Sequence, residues 1–538
     1  MQRLEPAQIL DSQRTARLIE MVFGAAAAVA VLLVAFFDLQ TSLPLLDEYA
    51  RRWSIQQLVA GHGFQSVGSS PQLVQLLLSA PLALLKTDPA IWRLTSLPFI
   101  AMQGLFCGLI ARDLGAGRLW AFIAGAAVIC NPLYLIVSTG MMTETVFLGL
   151  FAGAIYFSLR WVDRGQFRWA CVAFSVLATL QRPQGVAIAA TVAFGLAMFA
   201  RRCRSLRPDL IPAGALVLLS AAAFKTPEFL TQISPSLTGS SGGALGFVLT
   251  SYSGPSFVAY VLANFPALLG LAILPFTVAL WLARPREKTG TTFWWIFPAI
   301  LALLALAFAG LFVLPSNGHS IYVGNMLGGN ALGAALLGGA KVSPFPGPTF
   351  LILVILTMTS YVVLLVVRRD PWTPARLGES GQILVLSAAL QMVFIVGHGN
   401  LFDRYYLAVI LPLVPIVAAA AAPAGAAPAA IAWAALATVG SLALYAIGTQ
   451  DYIAWQVARH RVAQMAYAQA PVDQVDAGFE EVAENIWLPA DEDPTGRLPR
   501  AVAANPQFEL VFAGPDDSRP GANYSSLGSG RIVIKRNY

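Results

Sequence analysis

Apolar runs of about 20 residues recur along most of the chain, and that recurrence decides what it can fold into. A helix of that length matches a hydrocarbon core about 30 Å thick, where each backbone polar group must be satisfied within its own segment. Such runs lie near 17–37, 89–111, 119–140, 143–161, 168–181, 184–200, 209–225, 255–283, 291–314, 347–367, 379–397, 405–422 and 426–447. The two at 168–181 and 184–200 are short and meet at Gln181-Arg182-Pro183-Gln184-Gly185, a junction that also permits one broken helix. Charged residues make up 12% of the chain, against about 25% in soluble proteins, so an ordinary water-facing surface is excluded. The expected fold class is an all-α polytopic membrane protein of about 13 transmembrane helices, with a small α+β domain at its C-terminal end. The first run has the Ala-rich centre of a signal peptide, but its length and the spans that follow read as a retained anchor.

Orientation follows from the basic residues, which favour the cytoplasmic side of short loops. With the N-terminus inside, eighteen Lys and Arg fall in inner segments, eight in outer loops and eight in the tail. The net charge of +6 is therefore a matter of placement, and it does not argue for nucleic-acid binding. The expected location is a bacterial inner membrane, N-terminus cytoplasmic and tail periplasmic. The sequence divides into a transmembrane part, 1–448, and a soluble tail, 449–538. Three outer segments exceed simple turns: 38–88, which holds an interfacial amphipathic helix over Pro71–Lys86, and the Gly-, Ser- and Asn-rich 226–254 and 315–346. The tail carries 12 acidic and 8 basic residues, and reads as a helix from Asp451 to about Gln469 followed by strands at Phe508–Phe512 and Arg531–Lys535. The four cysteines, Cys107, Cys130, Cys171 and Cys203, form no CxxC pair and indicate neither disulfides nor a cysteine zinc site.

Charged residues at the outer ends of spans are the candidates for chemistry, because ionisable groups near lipid are costly and tend to be functional. Asp47 and Glu48 open the first outer loop in Leu46-Asp47-Glu48-Tyr49-Ala50-Arg51-Arg52. In a helix their side chains diverge by about 100°, so one faces a cavity while the other pairs with Arg51 or Arg52. A solvated loop start with an i,i+4 ion pair is the plainer reading. Glu144, in the Ser138–Thr145 turn between the third and fourth spans, reads either as a site carboxylate or as an acid favoured by the helix dipole. Arg182, Arg404, Lys225 and Lys341 lie on the same face and suit phosphate recognition or head-group anchoring. His319 and His398 stand near span ends, and Tyr49, Arg51 and Tyr405 neighbour the charged motifs. The four histidines lack metal-ligand spacing, and no P-loop, GxSxG or HExxH occurs.

In order and sidedness, Asp47-Glu48-Tyr49, Pro71–Lys86, Asn131-Pro132 … Thr143-Glu144, Gln181–Gly185 and Asp403-Arg404-Tyr405-Tyr406 resemble the GT-C fold glycosyltransferases. The likeness is to the protein mannosyltransferase and lipid A aminoarabinose transferase branch, often called glycosyltransferase family 39-like, and spans roughly residues 10–445 by layout. It implies an inverting transfer outside the cytoplasm, from a polyprenyl-phosphate-linked sugar to a lipid, glycan or protein acceptor. It implies Asp47 as general base with Glu48 beside it, Glu144 as the second acid, and Arg182 and Arg404 as ligands of the donor phosphate. Some members hold a divalent cation, Mg or Mn, between carboxylates and phosphate, which here points to Asp47 and Glu144. A lipid-linked glycan flippase, a surface-glycan polymerase or ligase, and a non-catalytic scaffold are the competing readings. A transport path predicts charges in mid-span, and these are sparse.

Overall fold

The computed structural model describes residues 6–45, 48–62, 72–200, 207–233, 265–266, 268–283, 327–328, 331–332, 337–339, 341, 352, 355–357, 359–361, 363–364, 374–398, 403–478, 481, 506–525 and 529–537. Asp47 and His319 lie outside these residues, as do the run at 291–314, most of the run at 347–367 and most of the 226–254 loop. The helices in chain order are α1 (Pro6–Asp38), α2 (Glu48–Val59), α3 (Leu73–Leu84), α4 (Pro89–Trp92), α5 (Leu97–Asp113), α6 (Gly117–Ile129), α7 (Pro132–Ser138) and α8 (Thr143–Arg164). They continue as α9 (Arg168–Gln181), α10 (Val186–Gly195), α11 (Leu210–Ile233), α12 (Thr277–Leu282), α13 (Pro374–His398), α14 (Leu407–Ile410), α15 (Val414–Ala421) and α16 (Pro428–Tyr467).

Among the described residues five helices are long and apolar enough to cross a membrane, or seven if each of two bent pairs is one span. The interfacial helix expected over Pro71–Lys86 is α3. Two runs expected as single spans are bent. α6 and α7 meet at 52°, because Asn131 caps α7 by accepting from the Leu133 amide and Pro132 starts the new helix. The 405–422 run bends by 49° between Ile410 and Val414, where Pro412 removes a backbone donor. Of the long spans, α8 is the most enclosed (83% of its apolar window buried, against 22% for α1), which makes it the centre of the bundle. Close approach there depends on small residues, as in other membrane helix pairs. A Cβ on Gly149 of α8 would lie 2.7 Å from the Phe99 carbonyl oxygen of α5, and one on Gly125 of α6 would lie 2.8 Å from that of Gly104.

α16 runs 40 residues without a break, about 60 Å at 1.5 Å per residue. The last span and the helix expected at the start of the tail are thus one element. Its far end carries the tail sheet, with Trp455 edge-on to Phe512 at 5.4 Å and to Tyr452 at 5.4 Å. Apart from a short antiparallel ribbon of β1 (Leu327–Gly328) and β2 (Ala331–Leu332), the described strands form this sheet, where β5 (Phe508–Ala513) pairs antiparallel with β7 (Ser529–Arg536), and β7 with β6 (Gly521–Ser525). The other edge of β5 takes two short parallel strands, β3 (Gly338–Gly339) and β4 (Val475–Asp476). Since β3 comes from the 315–346 segment, that stretch adds a strand to the tail, and Lys341 just after it is ion-paired to Asp451 of α16.

Candidate active site

The site begins at the first turn of α8. Thr143 and Glu144 follow the turn 139–142, in which Gly140 has φ +80° and donates its amide to Asp38 Oδ1 at 2.7 Å. Such a φ disfavours any side chain. A Cβ at Gly140 would also approach the Leu45 carbonyl oxygen at 3.2 Å and Glu48 Oε2 at 3.4 Å. The turn is therefore seated directly on the end of α1 and the start of α2.

Glu144 is 4% exposed and is met by two guanidinium groups from distant parts of the chain. Arg182 Nη1 pairs with its Oε1, and Arg404 Nε lies 3.0 Å from the same oxygen. Thr143 Oγ1 donates to Oε2 at 3.1 Å, and the charge of the buried Arg51 also acts on this carboxylate. Tyr405 lies between the arginines, its ring centre 5.2 Å from the Arg182 guanidinium and 5.7 Å from that of Arg404. The sequence explains both placements. Arg182 is extended (φ −148°, ψ 138°), as the residue before a proline prefers. Gly185 then lets the chain fold back so tightly that a Cβ there would lie 2.4 Å from the Thr179 amide nitrogen. Arg404 sits in the 3-10 turn Asp403–Tyr406, held to α7 by the Tyr134 hydroxyl donating to the Leu407 carbonyl at 3.0 Å.

A second cluster lies on the other side of the 139–142 turn. Glu48, fully buried, accepts from Arg93 Nε at 2.9 Å on both oxygens, from Arg52 Nε at 2.8 Å and from the Leu45 amide at 2.9 Å. Arg93 also donates to the carbonyls of Asp38, Thr41 and Leu43. Burial works to raise the Glu48 carboxyl, but the charges of Arg93 and Arg52 and its hydrogen bonds outweigh it and hold the group below the usual glutamate range. With both oxygens engaged, Glu48 anchors the first outer loop.

The remaining sequence candidates are spread more widely. Tyr49 and Arg51 are buried on α2 beside Glu48. Lys341 is buried against Asp451, and burial depresses its ammonium more than Asp451 raises it. Lys225 is exposed on α11, and His398 closes α13. Sequence reasoning passed over Asp38, Arg93, Gln75 and Gln181. Asp38 was visible as an acid ending an apolar run. Arg93 was counted only as one more outer basic residue. Gln75 and Gln181 are neutral and carry no charge signal.

Among the described residues no group of three His, Cys, Asp or Glu is placed to hold a metal ion. Glu144, flanked by Arg182 and Arg404, sits in a field that repels a divalent cation, so the residues in view do not fit one.

Two solved structures are similar to the chain. ArnT from Cupriavidus metallidurans bound to undecaprenyl phosphate matches 94% of this chain and 97% of its own length, at 14% identity and a TM-score of 0.39. The same protein in the apo state matches 94% and 96%, at 14% identity and a TM-score of 0.36. No protein-family model and no curated protein matches the chain.

Proposed function

We propose that this chain is a membrane glycosyltransferase that moves a sugar from a polyprenyl-phosphate-linked donor to a lipid, glycan or protein acceptor on the non-cytoplasmic face. The observation that carries this reading is the convergence of Arg182, Arg404 and the charge of Arg51 on the single carboxylate of Glu144, in a buried place at the mouth of the central helix. Guanidinium forks suit a phosphate, whose charge grows as it leaves the sugar. Placed at a span end, the cluster lets a polyprenyl tail stay in lipid while its phosphate reaches the arginines.

In this reading the acceptor hydroxyl or amine attacks the anomeric carbon from the side opposite the phosphate. Its proton passes to Asp47 as general base, and the broken C–O bond leaves its electron pair on the phosphate oxygen beside Arg182 and Arg404. Glu144 orients the two guanidinium groups. Glu48, clamped by Arg93 and Arg52, fixes the start of α2.

The test is transfer by detergent-purified protein from undecaprenyl-phosphate sugars to candidate acceptors. Asp47→Asn, Glu144→Gln, Arg182→Lys and Arg404→Lys are compared with the parent. Each is expected to lower turnover about 100-fold or more, the scale for removing one preorganised charge partner of a transition state. Transfer unaffected by all four would overturn the reading.

A further inference from the structure

The N-terminal end of α3 is docked on the end of α9 through glutamines. The Gln72 amide donates to the Gln181 carbonyl at 3.3 Å, and the Gln75 amide to Gln181 Oε1 at 3.1 Å. Gln181 Nε2 in turn donates to Gln75 Oε1 at 3.4 Å and to the Thr143 carbonyl at 3.3 Å. Every partner here adjoins the cationic cluster, since Thr143 precedes Glu144 and Arg182 follows Gln181. Within this network Gln75 is fully buried, yet among the described residues its Nε2 amide, with two N–H donors, has no hydrogen-bond partner. Its Oε1 and its backbone N–H are both engaged, so rotating the carboxamide would only exchange one unsatisfied group for another. A buried donor left unmade keeps its desolvation cost uncompensated, and in native structures such a group calls for a reason. An apolar side chain of the same length would remove that cost.

Resting on the function proposed above, we infer that Gln75 is a substrate-binding residue whose side-chain amide donates to an oxygen of the polyprenyl-phosphate-linked donor. Bound donor supplies the acceptor that the free protein lacks. The oxygen belongs either to the phosphate or to a sugar hydroxyl, and both present the same chemistry to an N–H. In either case α3 becomes part of the donor site, as an interfacial helix that reads the head group at the lipid boundary.

Binding of undecaprenyl phosphate and of undecaprenyl-phosphate hexoses to the purified full chain separates the outcomes, alongside the melting temperature of each ligand-free variant. Gln75→Met is expected to weaken binding about tenfold and to raise the donor KM with little change in kcat, while its melting temperature stays level or rises. Equal weakening for both ligands assigns the contact to the phosphate, and weakening confined to the hexose form assigns it to the sugar. Gln75→Asn, which keeps the amide one methylene short, is expected to fall between parent and Gln75→Met. If the parent binds and transfers while Gln75→Met does so with unchanged Kd and KM, Gln75 is not a substrate ligand. Should the parent itself neither bind nor transfer, the glycosyltransferase reading fails first, and this inference falls with it.

Discussion

Glu144 shows how a residue legible in sequence gains its meaning from contacts that are not. Its place in an apolar hairpin marks it as costly, and the basic residues at 182 and 404 are equally visible, but only folding brings them within pairing distance. Gln75 and Gln181 are neutral amides with no charge signal, and Lys341, legible as a basic residue, meets a partner, Asp451, that lies 110 residues away. Removing Glu144's charge leaves two buried guanidinium groups facing each other, so Glu144→Gln is expected to destabilise by about 3–5 kcal/mol, read as a lower midpoint in denaturant or heat. Glu48 adds a pH dependence of definite sign. Its carboxyl is depressed in the folded chain, so its contribution is complete above the ordinary glutamate pKa of about 4.3 and is lost as pH falls through the lower folded value. Melting temperature should therefore fall on acidification below about pH 4. Glu48→Gln should flatten that acid limb, and an unchanged limb would remove Glu48 from the account. At Gly140 the left-handed φ and the nearby Leu45 and Glu48 atoms make Gly140→Ala costly, by about 1–3 kcal/mol.

At the scale of elements, hydrophobic run length marks the five to seven candidate spans among the described residues but not the bends in two of them. Asn131-Pro132 is a helix-start signal inside an apolar run, and the run was long enough to hide it. The change of composition near 450 falls inside α16, which runs through it unbroken because helix propensity continues through the change. Two strands of the tail, β5 and β7, are readable from their β-branched and aromatic content. β3 was not, since Gly338–Gly339 has no strand propensity and is held by pairing with Val511 and Phe512. That strand and the buried Lys341–Asp451 pair together tie the 315–346 segment to α16 and the tail. A double-mutant cycle measures the tie. Lys341→Met alone takes from Asp451 a buried cation and is expected to cost about 3–5 kcal/mol, while Lys341→Met with Asp451→Leu should recover most of it. Strictly additive losses would mean that the two side chains stabilise the chain independently.

For the whole molecule, the site and the tail belong to one face only if the chain crosses the membrane as its basic residues suggest. α8 supplies the ruler. Its 22 residues span about 33 Å, with Glu144 at one end and Arg164 at the other, next to the exposed Asp163 and the Arg160–Asp113 pair. The two ends must therefore lie on opposite sides of the bilayer core. α16 leads from the membrane to the sheet that carries the exposed Arg519, beside which Asp517 is held. Cys107, Cys130 and Cys171 are buried, so with Cys203→Ser the chain offers a quiet background for single reporters. Asp517→Cys should react with a membrane-impermeant maleimide in intact spheroplasts. Asp163→Cys should react only after permeabilisation if the basic residues around it, Arg160, Arg164 and Arg168, mark the cytoplasmic side. Labelling of Asp163→Cys from outside, with Asp517→Cys protected, would invert the topology and place the arginine cluster on the cytoplasmic face. A donor sugar presented across the membrane would then never meet Arg182 and Arg404, so the orientation result bears directly on the proposed chemistry.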